Sequence, residues 1–234
     1  MKAVVLAGGL GSRLRPLTYI MPKAMLPVAN KPILEHIIEF LKKYDIKEVI
    51  VATGYLGRII EDYFKDGSKW GVSISYTEAR PLGTAGQLRT AEKELSETFL
   101  AMNGDILVDV NLTSMKKQHA RSSAIATVAV KEYQYKLKYG ILEFGSDNVV
   151  KKWFEKPTQS SWMNIGLYVM EPEILKNIPA EKTCSLEYDV FPKIIARGHK
   201  MSAFRTKTDY LDIGDLQSLD AANQDTSGNQ AYDA

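Results

Sequence analysis

The sequence predicts an α/β fold in which a parallel sheet carries helices on both faces. Its first half alternates short apolar runs with amphipathic stretches, which is the pattern of a β-α-β-α-β unit. Its second half contains strand-like runs with few helices between them, so we expect a mixed sheet with a small appended β region. The 234 residues, of which 45% are hydrophobic, are enough for one large domain with a substantial core.

Hydrophobic periodicity predicts each element of the first half. Val4–Leu6 is a short continuous apolar run, which is typical of a buried strand. Pro32 stands where a helix favours proline, and the apolar residues after it fall on one face of a helix. The other expected elements are strands at 47–53, 72–77 and 99–102 and helical stretches at 56–64 and 84–95.

The second half predicts mainly strands. The strand-like runs are 124–130, 140–144, 149–154, 165–169 and 201–206, and a helical pattern covers 187–197. Residues 1–222 are expected to form one domain. Residues 223–234 are polar and lack periodicity, which predicts a disordered tail.

Charge and composition exclude several classes of function. The formal net charge of +2 gives no electrostatic case for binding a nucleic acid or a membrane. The first seven residues are too short an apolar run for a signal peptide or a membrane span. Cys184 is the only cysteine, so we expect no internal disulfide, and the three histidines are scattered, so we expect no zinc site. The single cysteine and the short N-terminal apolar run together predict a cytoplasmic protein.

A loop rich in glycine, proline and basic residues, 8–31, follows the first strand. Its glycines allow the backbone to approach a ligand and to direct N–H groups at phosphate oxygens, while Arg13 and Lys23 neutralise charge. Leu14 replaces the third glycine of a dinucleotide-binding motif, and no Gly-Lys-Ser/Thr of a Walker loop is present. The loop therefore predicts a triphosphate site, and the alternative is a glycine-rich turn with solvated basic residues.

An aspartate lies at the end of the fourth predicted strand, in Asn103-Gly104-Asp105. Mg²⁺ prefers one or two carboxylates together with substrate oxygens, and ligands of α/β sheets gather at the carboxyl ends of strands. Asp105 is therefore a candidate Mg²⁺ ligand. The alternative is an aspartate that caps a turn.

The segments Leu6–Thr18 and Pro22–Val28 resemble the signature of the sugar nucleotidyltransferases, also called NDP-sugar pyrophosphorylases. This resemblance implies a Rossmann-like, three-layer α/β/α nucleotidyltransferase fold with a mixed central sheet. It implies that a nucleoside triphosphate reacts with a sugar 1-phosphate, giving an NDP-sugar and pyrophosphate. It also implies that Arg13 polarises the triphosphate and that Lys23 holds phosphate oxygens.

The resemblance extends to the remaining site residues. Asp212, in Tyr210–Gly214, matches a Trp-x-Asp-x-Gly motif and is implied as the second Mg²⁺ ligand, so that Arg13, Lys23, Asp105 and Asp212 form the catalytic set. The implied nucleotide-binding residues are Leu6, Ala7, Gly8, Gly9, Gly11, Ser12, Gly83, Thr84, Gly86 and Gly104. The implied sugar-phosphate-binding residues are Gly140, Glu155, Lys156, Asn164 and Gly166.

Two of these segments also have ordinary structural readings. Residues 78–86 have glycines on either side of a small Thr-Ala pair, which lets the backbone lie against a base, but Gly83 also suits a helix start. Glu155–Pro157 in isolation is typical of a charged surface turn.

Three segments look most like the mannose-1-phosphate guanylyltransferases, namely Pro81–Gly86, Lys138–Gly140 and Ser185–Pro192. The resemblance implies GTP and mannose 1-phosphate as substrates, although that group usually carries a C-terminal β-helix for which this chain has no room. The alternatives are UTP or dTTP with glucose, heptose or N-acetylmuramate 1-phosphate, or a non-catalytic regulatory subunit of the same fold. A glycosyltransferase would usually show Asp-x-Asp, which is absent, and a homo-oligomer is left open.

Overall fold

Strands and helices alternate through the residues that the computed structural model describes, which are 1–77, 82–180 and 182–227. The strands are β1 (Ala3–Leu6), β2 (Pro27–Val28), β3 (Lys31–Pro32), β4 (Glu48–Ala52), β5 (Ser73–Tyr76), β6 (Phe99–Asn103), β7 (Ile106–Val108), β8 (Ala126–Lys136), β9 (Ile141–Phe144), β10 (Val150–Phe154), β11 (Thr158–Met170), β12 (Met201–Thr206) and β13 (Tyr210–Asp212). The α-helices are α1 (Ile33–Lys43), α2 (Gly57–Phe64), α3 (Gly83–Thr90), α4 (Leu112–Ser122), α5 (Phe191–Ala196) and α6 (Leu216–Ser227).

A seven-stranded mixed sheet has the order β12-β8-β11-β6-β1-β4-β5. Strands β6, β1, β4 and β5 are parallel to one another, and β12 is parallel to β8. Strand β11 is antiparallel to both of its neighbours, which makes the sheet mixed. The predicted change from a parallel first half to a mixed sheet is therefore confirmed.

Alternate residues of the central strands face opposite helical layers. Val5 packs in a core cluster with the apolar face of α1, whereas Val4 packs in a second cluster with residues of α3 and α5. Helix α1 buries the predicted apolar stripe, Ile33, Leu34, Ile37, Ile38 and Leu41. A sheet between two helical layers confirms the predicted three-layer α/β/α fold.

Two antiparallel strand pairs that extend from the main sheet form the predicted appended β region. The outer halves of β8 and β11 pair from Lys131–Met163 to Lys136–Thr158, and strands β9 and β10 pair with each other between them. We call residues 131–163 the arm. All residues of β9 and β10 are exposed.

Two predicted helical stretches are divided. The stretch 84–95 becomes α3 followed by a 3₁₀ turn at Glu92–Glu94. The stretch 187–197 becomes a π-helical turn at Leu186–Val190 followed by α5, whose Pro192 lies in the first turn, where a missing N–H has least effect.

The expectation of disorder from residue 223 onward is corrected at its first residues, because α6 continues to Ser227. The side chain of Asn223 accepts a hydrogen bond from Ala29 N at 3.1 Å and donates one to Pro27 O at 3.2 Å. These tertiary bonds hold a polar helix that composition did not predict. Residues 228–234 lie outside the described residues. Within the described part, no helix is long and apolar enough to span a membrane.

Candidate active site at the carboxyl ends of β1 and β6

Strands β1 and β6 are parallel neighbours that end side by side, with Leu6 paired to Asn103. Gly104 N donates to Leu6 O at 3.0 Å, and a Cβ on Gly104 would lie 2.9 Å from the same oxygen. Glycine is needed for so close an approach. The turn after β6 therefore places Asp105 beside the start of the glycine loop.

The glycine loop is packed between α3 and the end of β4. The buried N–H of Gly8 donates to Gln87 Oε1 at 3.1 Å, and a Cβ on Gly54 would lie 2.4 Å from Gly8 O. The Gly8 N–H thus already has a protein acceptor, so this glycine serves close packing. A Cβ on Gly9, by contrast, would meet no described atom within 4 Å, so Gly9 borders open space.

The second part of the glycine loop places Arg13 beside the residues at the end of β13. Gly11 has φ +58°, and its carbonyl accepts a hydrogen bond from Thr18 Oγ1 at 2.8 Å. The 3₁₀ turn that follows buries Leu14 and leaves Arg13 exposed. A Cβ on Gly214 would lie 3.5 Å from Arg13 Nη1 and from Asp212 Oδ1, so the guanidinium lies close to the β13 carboxylate.

Strands β7 and β13 bring the two predicted metal ligands together. Asp212 pairs with Ile106 across this short antiparallel ladder, and Ile213 N donates to Asp105 O at 3.0 Å. Burial raises the pKa of Asp212, the negative charge of Asp105 raises it further, and the charges of Lys23 and Arg13 act in the opposite direction. All four residues of the predicted catalytic set therefore share one electrostatic environment.

Lys23 holds one oxygen of Asp105 and leaves the other free. Lys23 Nζ lies 2.6 Å from Asp105 Oδ2, and the two side chains are 14% and 29% exposed. Asp105 Oδ1 is buried and has no hydrogen-bond partner among the described residues. A buried acceptor without a donor is costly, so this oxygen suits a ligand with positive charge.

The carboxylates of Asp105 and Asp212 fit a hard divalent cation. Such ions take oxygen ligands, and Mg²⁺ typically combines one or two carboxylates with water and substrate phosphates. Across the described residues, no group of three or more His, Cys, Asp or Glu side chains is arranged to hold a metal. The remaining ligands of an ion at this pair would come from water or substrate.

Residues 83–86 of the predicted nucleotide-binding segment form the start of α3. This agrees with the alternative interpretation of the segment as a helix start. Gly83 has φ +70°, and its Cβ would lie 2.6 Å from Cys184 O. A Cβ on Gly86 would lie 2.9 Å from Lys182 O. Both glycines thus allow α3 to pack against residues 182–184. Residues 78–81 of this segment lie outside the described residues.

The predicted sugar residues Gly140, Glu155 and Lys156 meet on the arm. A Cβ on Gly140 would lie 2.9 Å from Glu155 Oε2, and Lys156 Nζ lies 4.0 Å from Glu155 Oε1. Trp153 Nε1 donates to Glu155 Oε2 at 3.2 Å. Trp153 is not among the predicted sugar residues. It precedes Glu155 by two residues, and alternate residues of an extended chain lie on the same face, which is a sequence signal for this contact.

Asn164 and Gly166 form a bulge of β11 next to β6. Asn164 Oδ1 accepts from Gly166 N at 2.9 Å, and its Nδ2 donates to Tyr168 Oη at 2.8 Å. A Cβ on Gly166, which has φ +73°, would lie 2.6 Å from Asn103 Nδ2. Gly166 therefore adjoins the end of β6, whereas Gly140, Glu155 and Lys156 lie on the arm. The ligand roles assigned to all these residues stay predictions.

Comparison with known proteins gives a consistent result over most of the chain. The profile of the nucleotidyl transferase family matches residues 2–229. The UTP–glucose-1-phosphate uridylyltransferase of Synechocystis is 33% identical over 92% of this chain and 60% of that protein. The mannose-1-phosphate guanyltransferase beta-A of Xenopus laevis is 35% identical over 92% of this chain and 61% of that protein.

A solved structure of the same fold covers nearly the whole chain. HddC from Yersinia pseudotuberculosis, solved in complex with GMP-PN, superposes with a TM-score of 0.75 at 27% identity, covering 96% of this chain and 99% of that one. The chain spans about three fifths of the length of the two curated relatives.

Proposed function

Because this chain belongs to the nucleotidyl transferase family, we propose that it transfers a nucleoside monophosphate from a nucleoside triphosphate to a sugar 1-phosphate. The observation that carries this proposal is the grouping of Arg13, Lys23, Asp105 and Asp212 where β1 and β6 end. Two cations and two carboxylates at the edge of a sheet suit a reaction between phosphates, in which positioning and neutralisation of charge account for most of the catalysis.

In the proposed reaction an oxygen of the sugar phosphate attacks the α-phosphorus of the triphosphate. The bond from that phosphorus to the oxygen bridging the α- and β-phosphates breaks, and pyrophosphate leaves with the electron pair. The exposed guanidinium of Arg13 would meet negative charge that develops on the transferred phosphoryl group. The pairing of Lys23 with Asp105 would keep the ammonium oriented toward the phosphates.

We propose Mg²⁺ as the cofactor, held by Asp105 Oδ1 and by the carboxylate of Asp212. When bound, it supplies positive charge against the phosphate oxygens. Its binding would relieve the repulsion between the two carboxylates and give the buried Asp105 Oδ1 a partner.

For the substrates we propose GTP and mannose 1-phosphate. The segments Pro81–Gly86, Lys138–Gly140 and Ser185–Pro192 support them by their resemblance, as do the mannose-1-phosphate guanyltransferase relative and the GMP-PN complex of HddC. The second candidate pair is UTP with glucose 1-phosphate, which the Synechocystis relative favours at nearly the same identity.

Pyrophosphate release, measured over a grid of four nucleoside triphosphates and several sugar 1-phosphates, tests both levels of the proposal. We expect release that requires a triphosphate, a sugar 1-phosphate and Mg²⁺ together, with the largest kcat/KM for GTP and mannose 1-phosphate. A larger value for UTP and glucose 1-phosphate would replace the substrate pair but keep the reaction. No release with any pair would favour the non-catalytic alternative.

A further inference from the structure

The carboxylate of Glu187 collects hydrogen bonds from three different parts of the chain. Tyr168 Oη donates to its Oε1 at 3.0 Å, from a strand in the central sheet. Thr84 Oγ1, in the first turn of α3, donates to Oε2 at 3.0 Å. Ser185 Oγ donates to the same oxygen at 2.8 Å. Three neutral hydroxyl groups thus point at one partly buried carboxylate.

These bonds continue without a gap into both predicted substrate segments. Toward the sugar side, Tyr168 Oη accepts from Asn164 Nδ2, and Asn164 Oδ1 accepts from Gly166 N. On the nucleotide side the line ends at Thr84, which belongs to the predicted nucleotide-binding residues and whose Oγ1 also accepts from Leu186 N of the π-helical turn at 2.9 Å. A single line of hydrogen bonds therefore runs from the start of α3 to the β11 bulge, and Glu187 lies at its centre.

The position of Glu187 is itself held firmly. Ser185 caps the π-helical turn by accepting from Glu187 N at 3.1 Å, so the backbone and the carboxylate of Glu187 both bond to one hydroxyl. Tyr168 is completely buried, and burial together with the charge of Glu187 raises the pKa of its hydroxyl, which keeps it protonated as a donor. Bonds between charged and neutral groups in such surroundings are stronger than bonds between neutral groups.

We propose that Glu187 is a positioning residue that couples the nucleotide and sugar-phosphate subsites, an inference that rests on the proposed function. Its carboxylate holds the start of α3 and the β11 bulge in one relative arrangement. A nucleotide that contacts Thr84 would therefore act on Asn164 and Gly166 through the carboxylate of Glu187. By linkage, each ligand then raises the affinity for the other by the same factor.

Calorimetry tests the coupling directly. The dissociation constant of the sugar 1-phosphate is measured with and without a non-hydrolysable nucleoside triphosphate analogue, using the substrate pair that turns over best. For the wild-type chain we expect the analogue to tighten sugar-phosphate binding by about fivefold or more, within the usual range of coupling between sites. For Glu187→Gln, which keeps the shape but removes the charge, we expect a ratio near one.

Three further variants separate coupling from a general structural defect. Tyr168→Phe and Thr84→Val each remove one hydroxyl from the line, and each should lower the ratio, also if Glu187→Gln fails to fold. The exposed Glu173→Gln serves as the matched control and should keep the wild-type ratio. An unchanged ratio in Glu187→Gln, or equal weakening of both ligands with the ratio preserved, would overturn the inference while turnover by the wild type leaves the proposed function intact. If the wild-type chain binds neither ligand, both proposals are wrong.

Discussion

Replacement of Asp105 by asparagine should stop most turnover while lowering stability only modestly. The substitution removes the charge that faces Lys23 Nζ at 2.6 Å, in a pair whose side chains are 14% and 29% exposed. A pair of intermediate burial lies between exposed pairs, worth about 1 kcal/mol or less, and buried pairs, whose disruption costs about 3–5 kcal/mol. The same substitution removes the negative charge that helps to raise the pKa of Asp212, and this relief offsets part of the loss.

We therefore expect Asp105→Asn to lower the free energy of unfolding by about 2 kcal/mol or less, a shift of several degrees in Tm for a chain of this size. Turnover should fall by about 10²-fold or more, because the site loses one of its two proposed metal ligands and the orientation of Lys23. Pyrophosphate release and thermal unfolding, measured on the same preparation, supply the two numbers.

Asp109→Asn is the matched control, since Asp109 pairs with Lys43 at 2.7 Å but both side chains are more than half exposed. It should leave turnover unchanged and stability within about 0.5 kcal/mol. Near-wild-type turnover of Asp105→Asn would refute the assignment of Asp105 as a metal ligand. A loss of stability well above 3 kcal/mol would show that the lost turnover reports unfolding instead.

Three other predictions concern the remaining charged residues. Arg13→Ala should lower kcat by about 10²-fold with little change in the sugar-phosphate KM, and an effect confined to that KM would assign Arg13 to the sugar site. Glu155→Gln should weaken sugar 1-phosphate binding by about 1 kcal/mol in calorimetry and leave nucleotide binding unchanged, whereas equal weakening of both would indicate a general defect. The pKa of Asp212 is raised in the metal-free folded chain, so folding favours the protonated carboxyl. The stability that this group contributes is fully present below its pKa in the unfolded chain and is lost as pH rises through its pKa in the folded chain. Asp212→Asn should therefore stabilise the metal-free chain near pH 7 in thermal unfolding, and Mg²⁺ affinity of the wild type should fall as pH decreases through the raised pKa; destabilisation by the substitution would contradict the assigned shift.

Sequence periodicity was sufficient for the order and type of most elements. The apolar run before the glycine loop became β1, the stripe after Pro32 became α1, and the expected strands of the second half formed a mixed sheet with an arm. These features depend on which face of an element is apolar, and that information is local in the chain. Motifs and the family resemblance likewise predicted Arg13, Lys23, Asp105 and Asp212 as one catalytic set, and the structure brings these four residues close together.

Contacts between distant segments required the tertiary structure. The convergence of Asp105 and Asp212 depends on the pairing of β7 with β13, and the acceptor of the Gly8 N–H is Gln87, on a helix far along the chain. The Glu187 network likewise joins α3, β11 and the π-helical turn. Asn223 holds a helix where polar composition predicted disorder. In each case the contact joins residues that are far apart in the chain, and their proximity is set by the pairing of strands and the packing of helices. Periodicity within a single segment carries no information about that arrangement.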